Sequence, residues 1–267
     1  MMINGVHWHV ESRGDGIPLL LLHGFTGSSR TWDPFLPFWN GRFRTIAVDI
    51  VGHGKTDAPG DPSLYTMERT VDDLAAILDR LEVDKAAVLG YSMGGRLALS
   101  FAVLRPERVR GLVLESTSPG LKTEEERKAR RKQDEELAER IEKNGIEWFV
   151  NYWENIPLFR TVKRLPADVQ QKIREDRLRQ RPEGLANSLR GMGTGAQPSW
   201  WDRLETIPAP VLVMAGELDE KFVGIAREMV PRLARATFVA VKDAGHAIHA
   251  EQAETFRSVV QDYLETL

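Results

Sequence analysis

Short apolar runs alternate along the chain with segments whose apolar residues recur at helical spacing. Leu19 to Leu22, Thr45 to Asp49, Ala86 to Leu89 and Gly111 to Leu114 read as buried strands. Met67 to Leu81 and Arg96 to Leu104 carry the period of helices. The alternation stops near Thr117 and resumes at Pro210, where Pro210 to Gly216 and Thr237 to Val241 add two more strands. Strands alternating with helices imply a mostly parallel sheet covered on both faces, an α/β fold.

Across residues 118–206 the composition changes, and Lys122 to Lys143 shows no strand pattern. Lys122 to Lys143 is dense in Glu, Lys and Arg and reads as a solvated helix face laced with i,i+4 pairs. Aromatic clusters follow at Trp148-Phe149, Tyr152-Trp153, Phe159 and Trp200-Trp201. The expected organisation is a core of residues 1–117 and 207–267, with 118–206 inserted as a helical cap.

Composition narrows the function classes. A length of 267 residues suits one large α/β domain with an insertion, and a formal net charge of −3 argues against a general nucleic-acid binder. With no cysteine, neither a disulfide nor a thiol nucleophile can operate. Met1 to Asn4 leads straight into a strand-like segment, with no signal-peptide pattern, and Leu19 to Leu22 is far too short to span a bilayer. A cytoplasmic protein without membrane insertion, monomeric or homodimeric, is the expectation.

The chemistry is concentrated at Gly90-Tyr91-Ser92-Met93-Gly94, between a strand and a helix. In that context Gly-x-Ser-x-Gly is a nucleophile elbow, a tight turn that presents the serine hydroxyl above the sheet edge. A serine needs a base, and the base needs a group that fixes its tautomer. Asp219 follows the strand at 210–216, and His246 follows the strand at 237–241, in the chain order Ser, Asp, His. Glu217 and Asp243 compete with Asp219, and His249 competes with His246. His23-Gly24-Phe25-Thr26-Gly27, at the exit of the first strand, can offer the Phe25 N–H to join that of Met93 as an oxyanion hole. His7, His9, His23 and His53 read as structural. Arg96 lies one helical turn beyond Ser92 and is either a carboxylate clamp or half of an ion pair with Glu115 or Asp219. No spacing suggests metal ligands.

These motifs, with Asp-x-x-Gly-His-Gly at 49–54 and Ala-Gly-His at 244–246, resemble the α/β-hydrolase superfamily over the whole chain. Gly90 to Arg96, Glu115 to Leu121, Trp153 to Phe159, Gly184 to Leu189 and Gly216 to Phe222 are similar to the 2-succinyl-6-hydroxy-2,4-cyclohexadiene-1-carboxylate synthases of menaquinone biosynthesis. That resemblance implies a lyase that eliminates pyruvate from an enolpyruvyl cyclohexene bearing three carboxylates. It implies Ser92 as base with His246 and Asp219, no metal or organic cofactor, and a small polyanionic carboxylate as substrate. It also implies Tyr91, Arg96, Arg130, Trp153, Arg179 and Lys221 as substrate-binding residues, with Arg127, Arg131 and Arg177 one helical step from the cap assignments. A carboxylesterase or carbon–carbon bond hydrolase is the alternative that the same triad serves.

Overall fold

The computed structural model describes all 267 residues. Nine strands run in chain order: β1 (Met2–Ile3), β2 (Val6–His7), β3 (Val10–Arg13), β4 (Ile17–Leu22), β5 (Phe43–Val48), β6 (Ala86–Tyr91), β7 (Val109–Glu115), β8 (Val211–Gly216) and β9 (Ala236–Val241). The first two form a small hairpin around Asn4-Gly5, both at positive φ as a tight two-residue turn requires. The other seven form one sheet in the order β3-β5-β4-β6-β7-β8-β9. Only β3 is antiparallel, pairing with β5 from Val10↔Val48 to Arg13↔Thr45. The remaining pairs are parallel.

Nine helices accompany them: α1 (Leu36–Trp39), α2 (Met67–Arg80), α3 (Met93–Leu104), α4 (Glu124–Trp153), α5 (Ala167–Leu178), α6 (Pro182–Met192), α7 (Glu220–Met229), α8 (Ile248–Glu251) and α9 (Ala253–Leu264). The two-residue period of β4 explains why both sheet faces are covered. Leu20 and Leu22 join a core with α2, α3 and α7, while Leu19 and Leu21 join another with Trp32, Trp39 and the Phe256 and Val260 of α9. Every position of β6 and β8 is buried, which is why those strands read as unbroken apolar runs.

Between β7 and β8 the chain is helical with no strand. Thr123 opens α4 with a capping box, its hydroxyl accepting from the Glu126 N–H while Glu126 accepts from the Thr123 N–H. The helix is broken at Gly145, whose φ of 78° and ψ of −179° are open only to glycine. Ala138, Ile141, Phe149 and Val150 of α4 pack against Leu185, Ala186 and Leu189 of α6 in a third, smaller core. No helix is long and apolar enough to cross a membrane.

Candidate active site

Ser92, Asp219 and His246 follow the carboxyl ends of β6, β8 and β9, and Phe25 follows that of β4, so four loops meet at one edge of the parallel sheet. The turn after β6 is forced. Ser92 holds φ 52° and ψ −107°, a conformation rarely adopted by a residue with a Cβ. Its N–H donates to the Glu115 carbonyl at 2.9 Å, and its carbonyl accepts from the Arg96 N–H at 2.9 Å. A Cβ at position 90 would overlap the Gly94 carbonyl, and one at 94 would overlap the Leu22 and His23 carbonyls, so both glycines are required by close backbone approach.

The Ser92 Oγ lies 3.0 Å from His246 Nε2, and His246 Nδ1 lies 2.7 Å from Asp219 Oδ2. An ionised carboxylate only accepts, so Nδ1–H donates to it, and Nε2 is left bare to accept the serine O–H. Asp219 caps α7, and both it and His246 are buried. Three groups that sequence reading missed hold this imidazole in place. The Ser116 hydroxyl donates to the His246 carbonyl at 2.8 Å. Glu251 accepts from the N–H groups of Gly245, at 2.8 Å, and Ala247, at 3.2 Å, on either side of it. The Phe222 ring lies 4.6 Å from the imidazole. These groups come from separate stretches of the chain, after β7, in α7 and in α8, so no local pattern announces contacts that tertiary packing sets.

His249 does not reach Ser92. Its backbone N–H and its Nδ1 both turn to the buried Glu115 carboxylate, at 3.0 and 2.9 Å. His23 and His53 hold loops. His23 Nε2 accepts from the Ile50 N–H at 2.9 Å, and both rings bond neighbouring backbone carbonyls through Nδ1. The backbone N–H groups of Phe25 and Met93 donate to nothing within the protein. Two free N–H groups beside a nucleophile are what an oxyanion hole requires.

Ser92, Met93 and His246 line a cavity of about 370 Å³, together with Phe25, Tyr91, Arg96, Arg130, Trp153, Phe222 and Lys221. Arg96 has neither of the carboxylate partners considered for it: Glu115 binds His249 and Asp219 binds His246. Its Nη1 donates instead to two neutral acceptors, the Met192 carbonyl at 2.8 Å and the Gln197 Oε1 at 2.7 Å. Burial and the neighbouring charge of Arg130 lower its pKa to about 10, so it remains a cation at neutral pH. Arg130 is partly spent on Asp134 at 2.8 Å. Lys221 has no carboxylate within 4 Å and lies over the Phe222 ring. The Trp153 ring packs 5.4 Å from Phe25, and its buried Nε1–H has no acceptor in the protein. Nowhere do three His, Asp or Glu side chains gather as metal ligands would.

The assignment of Arg179 to this pocket needs correction. Arg179 is exposed at the C-terminal end of α5, with its guanidinium on Asp176 at 3.2 Å. Two residues back, Arg177 is buried over the Phe159 ring. A step of two along a helix turns a side chain through roughly 200°, so the two cannot share a face. Arg177 lies beyond Phe159 and does not line the Ser92 cavity.

Comparisons with known proteins agree with this fold. Residues 17–253 match the α/β hydrolase fold family. A Bacillus subtilis (strain 168) protein, named as a candidate 2-succinyl-6-hydroxy-2,4-cyclohexadiene-1-carboxylate synthase, is 48% identical over 99% of this chain and 97% of its own. The enzyme of that name from Salmonella heidelberg (strain SL476) is 31% identical over 91% of this chain and 92% of its own. Among solved structures, MenH from S. aureus superposes with a TM-score of 0.92 at 36% identity, covering 97% of this chain and 98% of that one. A thermophilic esterase from Thermogutta terrifontis superposes at 0.85 with 30% identity, covering 98% of this chain and 94% of that one. A mostly parallel sheet, a serine elbow and full-length likeness to these proteins lead to one conclusion: the chain belongs to the α/β hydrolase fold family.

Proposed function

We propose that this protein is a 2-succinyl-6-hydroxy-2,4-cyclohexadiene-1-carboxylate synthase, which eliminates pyruvate from 2-succinyl-5-enolpyruvyl-6-hydroxy-3-cyclohexene-1-carboxylate. Residues 118–206 serve as a cap that shapes the pocket over the core of 1–117 and 207–267. The observation that carries the reading is Arg96, a guanidinium beside Ser92 whose hydrogen-bond partners are both neutral and which has no carboxylate in direct contact. A neutral ester gives no reason to keep such a charge at the nucleophile; a substrate with several carboxylates does. The 48% identity over nearly the whole chain points the same way.

In this reading Ser92 Oγ takes the ring proton next to the succinyl carbonyl while its own proton passes to His246 Nε2. The charge that develops on the carbonyl oxygen is held by the Phe25 and Met93 N–H groups. The electron pair then moves through the ring and breaks the bond to the enolpyruvyl oxygen. His246 returns its proton to the departing group, and the serine is restored. No water is added, and no acyl-enzyme forms. Asp219 stabilises the transient imidazolium without taking a proton.

The test is a side-by-side assay of pyruvate release from the enolpyruvyl substrate and of hydrolysis of simple esters. Pyruvate release should be fast, and Ser92→Ala should lower it by several orders of magnitude with the fold retained. Rapid ester cleavage with no pyruvate formed would instead make the protein a hydrolase like its esterase neighbour.

A further inference from the structure

Phe25, Tyr91 and Phe159 form a wall with a cavity on each side. Beyond it from Ser92 lies a second cavity of about 530 Å³, which neither Ser92 nor His246 lines. Tyr91 stands between the two histidines, its ring 5.6 Å from that of His246 and 4.5 Å from that of His249.

Two polar side chains facing this chamber have no partner for the groups they offer. Arg177 is only 8% exposed, and its guanidinium rests on the Phe159 ring at 4.8 Å with no hydrogen bond or ion pair to the protein. Glu154, whose charge it senses, is spent on Arg174 at 2.7 Å. The guanidinium nitrogens open on the chamber with no acceptor in the protein, and a carboxylate entering there gains a charge-assisted, bidentate contact in place of water. His249 is the second. Glu115 accepts from its Nδ1–H, which leaves Nε2 free to accept from a hydroxyl. Val162, Ile173 and Ala250 add an apolar stretch of wall.

The charge balance limits what fits. At the outer rim Asp33, Glu175 and Asp176 stand with Arg30 and Lys172. Arg177 brings the lining to three cations against three carboxylates, so one negative charge is welcome at the buried end and a second meets the acidic rim. We propose that this chamber is a second, monocarboxylate-binding site, and that the small 2-oxo acid released by the elimination is its occupant. The identity of that occupant rests on the function proposed above; the site itself does not. The carboxylate lies on Arg177, the apolar end on Val162 and Ile173, and the hydroxyl of the enol form donates to His249 Nε2.

Ligand-observed NMR with labelled pyruvate tests this on the full-length protein. Wild-type protein and Ser92→Ala should bind pyruvate alike, since Ser92 lies outside the chamber. Arg177→Gln should weaken binding at least tenfold. Ala250→Phe, which fills the chamber without touching a charge, should do the same and covers the case in which Arg177→Gln fails to fold. Acetate and isobutyrate should compete, while succinate should compete poorly. Absence of pyruvate binding by the folded wild-type protein would overturn the proposal, as would binding unchanged in both chamber variants or lost only in Arg96→Ala. A failure to release pyruvate from the enolpyruvyl substrate would sink the proposed reaction while leaving this binding result intact.

Discussion

Arg96 shows most sharply how a single residue separates chemistry from structure. Its guanidinium bonds to the Met192 carbonyl and to Gln197, so removing it strands no buried carboxylate. The loss in melting temperature for Arg96→Ala should therefore be small. A charge-assisted contact to substrate is worth roughly 1.5–3 kcal/mol, so catalytic efficiency should fall roughly tenfold to a few hundredfold. Arg96→Lys should recover only part, because an ammonium lacks the planar fork. Melting temperature and steady-state kinetics on one preparation check both halves; a large thermal loss with unchanged efficiency would make Arg96 a structural residue. The convergence of Ser92, Asp219 and His246 was legible in the sequence because each directly follows a strand and their order is that of the fold. Gln197 was not legible. It lies 101 residues from the arginine it holds, in a loop whose course depends on how α6 packs.

At the scale of elements, the sheet was readable because a strand buried on both faces is written as an apolar run. β3 was harder to read: its residues Val10–Arg13 are half-buried or exposed, which is the signature of an edge strand. The face of α5 was unreadable for a different reason. Charged residues surround that helix, so no apolar stripe told Arg177 from Arg179. The break in α4 carries a prediction of its own. A Cβ at Gly145 would meet nothing within 4 Å, yet the backbone there is in a region closed to other residues. Gly145→Ala should cost about 1–3 kcal/mol, or straighten the helix to avoid that cost. Straightening would move Phe149 and Trp153, which lie just past the break, and Trp153 lines the Ser92 cavity. KM should then rise more than kcat falls, because the triad lies on the core. An unchanged melting temperature together with an unchanged KM would show that the break matters to neither stability nor pocket shape.

Besides His246, the molecule buries two imidazoles away from the catalytic serine, His23 and His53, with ring centroids 5.2 Å apart. Burial, reinforced by the charge of its neighbour, lowers the pKa of His53 to about 3, and burial lowers that of His23 as well. The unfolded chain binds these protons near pH 6.5, and the folded one refuses them. Stability from this source is therefore complete above about pH 6.5 and declines as the pH falls towards 3; at pH 5 the His53 contribution alone is a loss of about 2 kcal/mol. The melting temperature should fall between pH 7 and pH 5, and a flat profile there would contradict the burial of these rings. The position of β9 has a consequence in time as well as in space. This strand closes the sheet at its edge, pairing only with β8, and it delivers His246 to a serine 154 residues earlier. As the ribosome extends the chain, the elbow, the loop carrying Phe25 and the whole 118–206 segment emerge before His246 does. Under the proposed mechanism, a nascent or truncated chain ending before β9 holds Ser92 with nothing to take its proton, so activity should be silent until translation is nearly complete.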